Sequence, residues 1–362
     1  MNILIFTTSD GPINIIRPEL EIFIGLAKAG HKVTVLTDEN TEYADIFKRN
    51  GVKVINQQPK RKICFESIKV IRDELRREDY DIVYATNSKS IPNAAFACIG
   101  FPAKMVTYRG TTGGLYRHDP TAYLTHLHPR VNGVVCVSEA VREDILKRVW
   151  HNKKNVVTIH KGHNLDWYKK PPADLSEFGI GSDDFVLICA VNARPSKGIP
   201  VMIGAADNLA DLPNVHLLLV GKNMEQYSDL INRNKMSDRI HLLGYRFDAP
   251  ELITASNLLV QPSISGEGLP RALMEAMGYG TPSIITDVGG GKEVIEHGVN
   301  GIVVPANDAM AIADSVRELY HNPKRIEEIS VACRDTIANK YSNERTVMLY
   351  IEYFQRLLEK KS

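Results

Sequence analysis

The 362-residue chain is 44% apolar and 24% charged, with 25 glycines and 18 prolines. That balance excludes a disordered, collagen-like or disulfide-scaffold protein and suits two globular domains or one large α/β unit. The net charge of +1 conceals an asymmetry: residues 1–170 hold 26 Lys and Arg against 18 Asp and Glu, while residues 171–362 hold 18 against 25. A basic half and an acidic half suit different ligands.

The amino terminus, MNILIFTTSDG, has no basic leader and its apolar run breaks early, so it reads as a buried strand and not as a signal peptide. No apolar run reaches the ~18–20 residues of a bilayer span. From there β-branched runs of strand length alternate with helix-like stretches. NILIFTT, HKVTVLT, VKVINQ, DIVYAT, KMVTYRG, GVVCVS and NVVTIH predict strands in the first half. Helical spacing falls between them, as over Pro18–Ala29 and Ser138–Val149, with Ser138 placed as an N-cap. The second half repeats the rhythm with DFVLICAVN, HLLLVG, IHLLG, LLVQPS, TPSIIT and GIVVP. Such alternation means βαβ units and parallel sheets.

Punctuation divides the chain. The paired prolines of Lys169–Glu177 predict a linker, and Thr346–Lys361 predicts a closing amphipathic helix. The expected organisation is a domain over 1–168, a second over 169–345, and a closing segment over 346–362 that packs back on the first. Two doubly wound domains facing each other would form a cleft at the carboxyl ends of both sheets, where such folds bind ligands. The five cysteines are odd in number and scattered, which suits thiols in a reducing cytosol and argues against zinc.

Two stretches carry chemistry. In LVQPSISGEGLPRALMEAMGYG, residues 259–280, a strand ends at Gln261 and a Gly-rich loop leads to a helix starting at Pro270. Glu267 lies in the loop and Glu275 in the second helical turn. The amides of Gly268 and Leu269, at the positive end of the helix, suit an anion such as a diphosphate. One carboxylate would accept hydrogen bonds from sugar hydroxyls, the other from ribose hydroxyls. A solvated loop Glu plus a surface helix Glu is the plain alternative. In FVLICAVNARPSKGIPVMIGA, residues 185–205, Arg194 and Lys197 follow a buried strand and precede a helix near Pro200. Two cations there suit a departing diphosphate, each such hydrogen bond contributing about 1.5–3 kcal/mol.

These stretches resemble the retaining glycosyltransferases of family 4, which have the GT-B fold. The match is the E-x7-E pair, Glu267 and Glu275, within EGLPRALMEAMGYGTPSIITDVGGGKEVIEHGVNGIVVP, together with RPSKG. GHKVTVLT, DYDIVYA and VCVSEAVREDIL extend it more loosely through the first half. The resemblance implies two Rossmann-like domains and a nucleotide-sugar donor bound mainly by the second. It places Lys197 and Arg194 on the diphosphate with the Gly268 and Leu269 amides, Glu275 on the ribose and Glu267 on the hexose. Tyr245, beside Gly244, falls near the base, and Gly11 faces the donor phosphate or the acceptor. Where relatives often carry a histidine after the fifth strand, this chain has Arg109, in VTYRGTTGG, which takes a share in catalysis or in holding phosphate or acceptor.

Other features are weaker. Asp79-Tyr80-Asp81 matches a DxD but precedes a strand, and a structural role fits better. The His126/His128 pair lacks a third ligand at zinc-like spacing. Gly289-Gly290-Gly291 is no dinucleotide fingerprint, and in relatives such a loop lies near the donor sugar. Lys60–Glu78, with seven basic and four acidic residues, reads as a helix covering a sheet, with contact to an anionic membrane as the sharper option. Nucleic acid is not expected, for want of an aromatic-interleaved basic groove.

The expected protein is thus a cytoplasmic, metal-independent retaining hexosyltransferase without a cofactor, working at or near the inner face of the membrane. It would use a UDP-sugar, with a GDP-sugar second, and a glycan or lipid-linked acceptor in lipopolysaccharide, capsule or glycolipid synthesis. A GT-B nucleotide-sugar 2-epimerase and a non-catalytic sugar-nucleotide-binding protein are the rivals. A glycosidase using Glu267 and Glu275 comes third, and it would leave Lys197 idle.

Overall fold

A computed structural model describes residues 1–8, 11 and 13–359. It contains two compact units, Met1–Gly162 together with the chain from Asn343 onward, and His163–Ser342.

The first unit is a seven-stranded parallel sheet. Its strands are β1 (Asn2–Phe6), β2 (Lys32–Thr37), β3 (Lys53–Asn56), β4 (Ile82–Ala85), β5 (Lys104–Arg109), β6 (Val131–Cys136) and β7 (Val156–Thr158). They run in the order β3-β2-β1-β4-β5-β6-β7. The second unit holds β8 (Phe185–Ala190), β9 (Val215–Val220), β10 (Ile240–Gly244), β11 (Leu258–Gln261), β12 (Ser283–Thr286) and β13 (Ile302–Val304). Their order is β10-β9-β8-β11-β12-β13, again parallel throughout. Each of the thirteen predicted apolar runs is a strand. The reason is burial on both faces: Ile3, Leu4 and Ile5 have no exposed surface, nor have Leu187, Ile188 and Cys189. Each order reverses at one point, between β1 and β4 and between β8 and β11. Crevices open at such points, at the carboxyl ends of the strands.

Helix starts follow local capping. Ser138 caps the helix Glu139–Leu146 by accepting the Val141 N–H, and Asp308 caps Ala309–Tyr320 through the Ala311 N–H at 2.9 Å. Two starts differ from expectation. The first helix runs Ile13–Lys28, so Pro18 lies within its second turn instead of opening it. Pro270 is the N-cap residue, extended at ψ 119°, and the helix it introduces is Arg271–Tyr279. The Lys169–Glu177 segment is tied to the second unit. The Ala173 N–H donates to the Glu251 carbonyl at 3.0 Å and Lys170 Nζ to the Glu251 carboxylate at 2.5 Å.

The helix Asn343–Glu359 belongs to the first unit and packs along Ile13–Lys28. Tyr350 Oη meets Tyr84 Oη at 2.9 Å, Tyr353 donates to the Asn155 carbonyl at 2.6 Å, and Thr346 to the His160 carbonyl at 3.0 Å. Contact between the two helices is close at Gly25, where an added Cβ would sit 2.4 Å from Val347 Cγ2. Valine is stiff at χ1 and does not swing away. Gly25→Ala should therefore destabilise the protein by about 1–3 kcal/mol despite alanine's better helix propensity. Urea unfolding of Gly25→Ala, Val347→Ala and the double variant measures this, and the second change should recover part of the loss.

Candidate active site

In the second unit Arg194 and Lys197 follow β8, Glu267, Gly268 and Leu269 follow the neighbouring β11, and the Gly289 loop follows β12. The loop after β8 carries Arg194, Ser196 and Lys197, and ends at Gly198 in the left-handed conformation, φ 65°. A Cβ at Gly198 would lie 1.9 Å from the Pro262 carbonyl oxygen, so the β8 and β11 loops touch backbone to backbone. The Ile264 N–H then donates to the Ser196 carbonyl at 2.8 Å. Gly289, φ 64°, repeats the device one loop along. Its Cβ would meet Glu267 Cβ at 2.4 Å, and the Gly290 N–H donates to the Gly268 carbonyl at 2.8 Å. Only glycine allows such approaches.

Glu267 sits in the middle of this stitched surface, 5% exposed. Its Oε1 accepts from Lys197 Nζ at 2.5 Å, from Gln261 Nε2 at 3.3 Å and from Ser263 Oγ. The Lys197–Glu267 pair thus spans the point where the strand order reverses. A buried carboxylate with three donors is fixed in place, and removing its cation would cost about 3–5 kcal/mol locally. All three bonds fall on the one oxygen, Oε1. Gln261 and Ser263 escaped the sequence reading. Their signal is a pair of polar residues bracketing a proline at the end of an otherwise apolar strand.

Glu275 is different. It lies in the helix Arg271–Tyr279, 7% exposed, with Arg271 Nε 3.6 Å away. Its Oε1 is buried and has no hydrogen-bond partner among the described residues. Burial pushes the carboxyl up to about 7, with Arg271 opposing. A buried acceptor left open in this way suits donor hydroxyls from a ligand.

The remaining residues fall as follows. Arg194 is exposed at the mouth of the β8 loop, and Gly268 and Leu269 precede the N-cap of the Arg271 helix. Tyr245 is 43% exposed after β10, with Lys222 Nζ 4.9 Å from its ring centre and Phe247 edge-on at 5.1 Å. Arg109 and Gly11 belong to the first unit. Gly11 is exposed, and its carbonyl accepts from Tyr43 Oη at 2.5 Å. Arg109 ends β5, half-buried, and donates to the Gly113 carbonyl. Burial draws its guanidinium below the usual arginine value, while Asp144 works the other way.

The decoys have structural partners. Asp81 accepts the Asn2 N–H at 2.7 Å, and Tyr80 Oη donates to Thr34 Oγ1 at 3.0 Å. His126 Nδ1 pairs with Thr107 Oγ1 at 3.0 Å, and His128 Nδ1 accepts the Arg130 N–H at 3.0 Å.

Among solved structures, Anabaena Alr3699/HepE in complex with UDP matches with a TM-score of 0.78 at 20% identity, over 98% of this chain and all of that one. The likeness defines the class: a GT-B protein built from two Rossmann-like parallel-sheet domains. Family profiles then divide the chain between them, "Glycosyl transferases group 1" over residues 172–335 and "Glycosyltransferase Family 4" over 20–167. The chain belongs to glycosyltransferase family 4 and is a hexosyltransferase. A Bacillus anthracis N-acetyl-alpha-D-glucosaminyl L-malate synthase is 26% identical over 90% of this chain and 89% of its own. An Escherichia coli UDP-Gal:alpha-D-GlcNAc-diphosphoundecaprenol alpha-1,3-galactosyltransferase is 24% identical, over 74% and 73%.

Glu275 has a stability signature. Between about pH 5 and pH 7 the native state keeps a proton that the unfolded chain has released, so stability falls as pH rises through that window. Glu275→Gln removes the effect. The variant should be more stable than the parent by about 1–3 kcal/mol at pH 8, the gap closing by pH 5. Denaturant titrations at the two pH values decide this.

Proposed function

We propose that the enzyme transfers a hexose from a nucleoside diphosphate sugar to an acceptor hydroxyl, with retention at the anomeric carbon and without a metal ion. UDP is the favoured nucleotide, supported by the ligand of the Anabaena neighbour, with GDP second. The observation that carries the reading is the Lys197–Glu267 pair at the strand reversal.

In this reading the diphosphate lies against Lys197 and Arg194, with the Gly268 and Leu269 amides completing the anion site. Glu275 accepts the ribose hydroxyls, Glu267 Oε2 accepts from the hexose, and Tyr245 flanks the base. The bond from the anomeric carbon to the phosphate oxygen breaks as positive charge develops on the sugar ring. Lys197, already oriented by Glu267, meets the charge growing on the leaving phosphate without reorganising. The acceptor oxygen bonds to the same face, and its proton passes to the departing phosphate oxygen. On the first unit, Arg109 takes a share in catalysis or in holding phosphate or acceptor, and Gly11 faces the donor phosphate or the acceptor.

The acceptor is a glycan or a lipid-linked sugar, as in lipopolysaccharide, capsule or glycolipid synthesis, a reading supported by the substrate named for the Escherichia coli relative. Among the described residues no helix is long and apolar enough to cross a membrane. Peripheral contact with an anionic inner leaflet fits the basic segment at Lys60–Lys62, where Phe65 is 83% and Ile63 42% exposed.

A thermal-shift panel of UDP, GDP, ADP, CMP and their sugars, with EDTA present, is the first test. A nucleotide at 100 times its Kd should stabilise the fold by about 2.7 kcal/mol. Lys197→Ala should lower kcat about 10²–10³-fold and weaken UDP binding. Glu267→Ala should lose turnover with UDP affinity largely kept. Undiminished turnover by Lys197→Ala would remove the assignment, and inversion seen by NMR of the product would remove retention.

A further inference from the structure

The first unit has a pocket of about 300 Å³ at the carboxyl ends of β4 and β5, with Asn87, Arg109, Thr111, Thr125 and His126 in its wall and Lys62 at its rim. Two of its wall residues, Asn87 and Arg109, keep donors to spare. Asn87 Oδ1 accepts two backbone N–H groups, those of Lys89 at 3.0 Å and Ser90 at 2.9 Å, at the start of the helix Ser90–Ala97. Those two hydrogen bonds fix the amide's orientation, so Nδ2 is the spare group of this wall residue. It is buried and has no hydrogen-bond partner among the described residues. Arg109 spends one donor on the Gly113 carbonyl and keeps the rest of its fork. The carboxylate in the wall, Asp119, is already engaged by Thr121 through N at 2.8 Å and Oγ1 at 2.9 Å. Asp144, which faces Arg109, accepts the Gly113 N–H at 2.9 Å and pairs with Arg148 at 3.5 Å.

A half-buried guanidinium and an orphaned amide donor in one polar pocket match an oxyanion with two or more acceptor oxygens. We infer that this pocket binds a carboxylate or phosphate carried by the acceptor, held by Arg109 and Asn87 Nδ2. The inference rests on the reading that the first unit receives the acceptor, and it narrows that acceptor to an anionic one. His126, buried and bonded to Thr107, adds a polar edge without adding charge, since burial and the nearby Arg109 bring it down to about 3.

The test uses the full-length protein in saturating UDP at constant ionic strength, so that the diphosphate site of the second unit is filled. Glycerol 3-phosphate, L-malate and glycerol serve as phosphate, carboxylate and neutral probes in thermal-shift titrations, repeated in Lys197→Ala protein. One of the two anions should stabilise the wild type and glycerol should not, and whichever anion binds identifies the group. Asn87→Asp keeps the capping oxygen and turns the free donor into a negative acceptor, so it should weaken that anion about tenfold or more. Arg109→Gln should do the same and Arg109→Lys should recover part of the loss. Equal response to all three probes, no response to either anion, or undiminished anion binding by Asn87→Asp would overturn the inference. Weaker UDP binding in Arg109→Gln would also overturn it, by giving Arg109 to the donor. If UDP itself fails to shift the wild type, the donor reading falls, while the anion result in Lys197→Ala protein still stands.

Discussion

The contact between the loops after β8 and β11 is the constraint on which the second unit's site depends. Parallel strands buried on both faces leave chemistry no room inside the sheet, so reactive side chains must come from the loops at the carboxyl ends. Loops ordinarily move, yet Gly198 lies against the Pro262 carbonyl and Gly289 against the Glu267 backbone with no space for a methyl group. Lys197 and Glu267 are 70 residues apart in sequence and 2.5 Å apart in space because of that stitching. Residues on such a surface gain rigid-element precision although they come from loops.

The two carboxylates of the E-x7-E pair do opposite things with burial. Glu267 has its charge met by Lys197 and two neutral donors, and its position is set before any ligand arrives. Glu275 has one oxygen buried without a hydrogen bond among the described residues, Arg271 Nε standing 3.6 Å from it, and burial pushes the carboxyl up to about 7 against that cation. In the proposed reaction the first arrangement would hold the lysine ready for a developing negative charge. The second keeps a carboxyl group buried at the expense of stability in the protein.

Most of the fold was legible because its strands are extreme. Runs such as ILIF and VLICA are wholly apolar, of strand length and rich in β-branched residues. Helix starts were less legible. Pro18 reads as a natural first residue, but Ile13–Arg17 already follows helical spacing and the structure tolerates the lost bond in the second turn. At the site, Glu267, Glu275 and Lys197 carry their signal in spacing and in loop glycines. Gln261 and Ser263 carry almost none, since a polar residue at a strand end is commonplace. Asn87 was invisible for another reason. NSKS announces a helix cap, and only the three-dimensional arrangement shows that the cap consumes the amide oxygen and leaves the nitrogen over.

The chain leaves the first unit at Gly162 and returns to it at Asn343. The second unit is in effect an insertion, and this imposes an order on synthesis. All of its six strands emerge from the ribosome before the helix that completes the first unit's core. Until Tyr350, Tyr353 and Phe354 arrive, the Ile13–Lys28 helix and Tyr84 lack the side of their packing that these residues supply. At ribosomal rates of ~5–20 residues per second the wait is on the order of ten seconds. For that interval the first unit's core lacks one side, the one that the Asn343–Glu359 helix supplies.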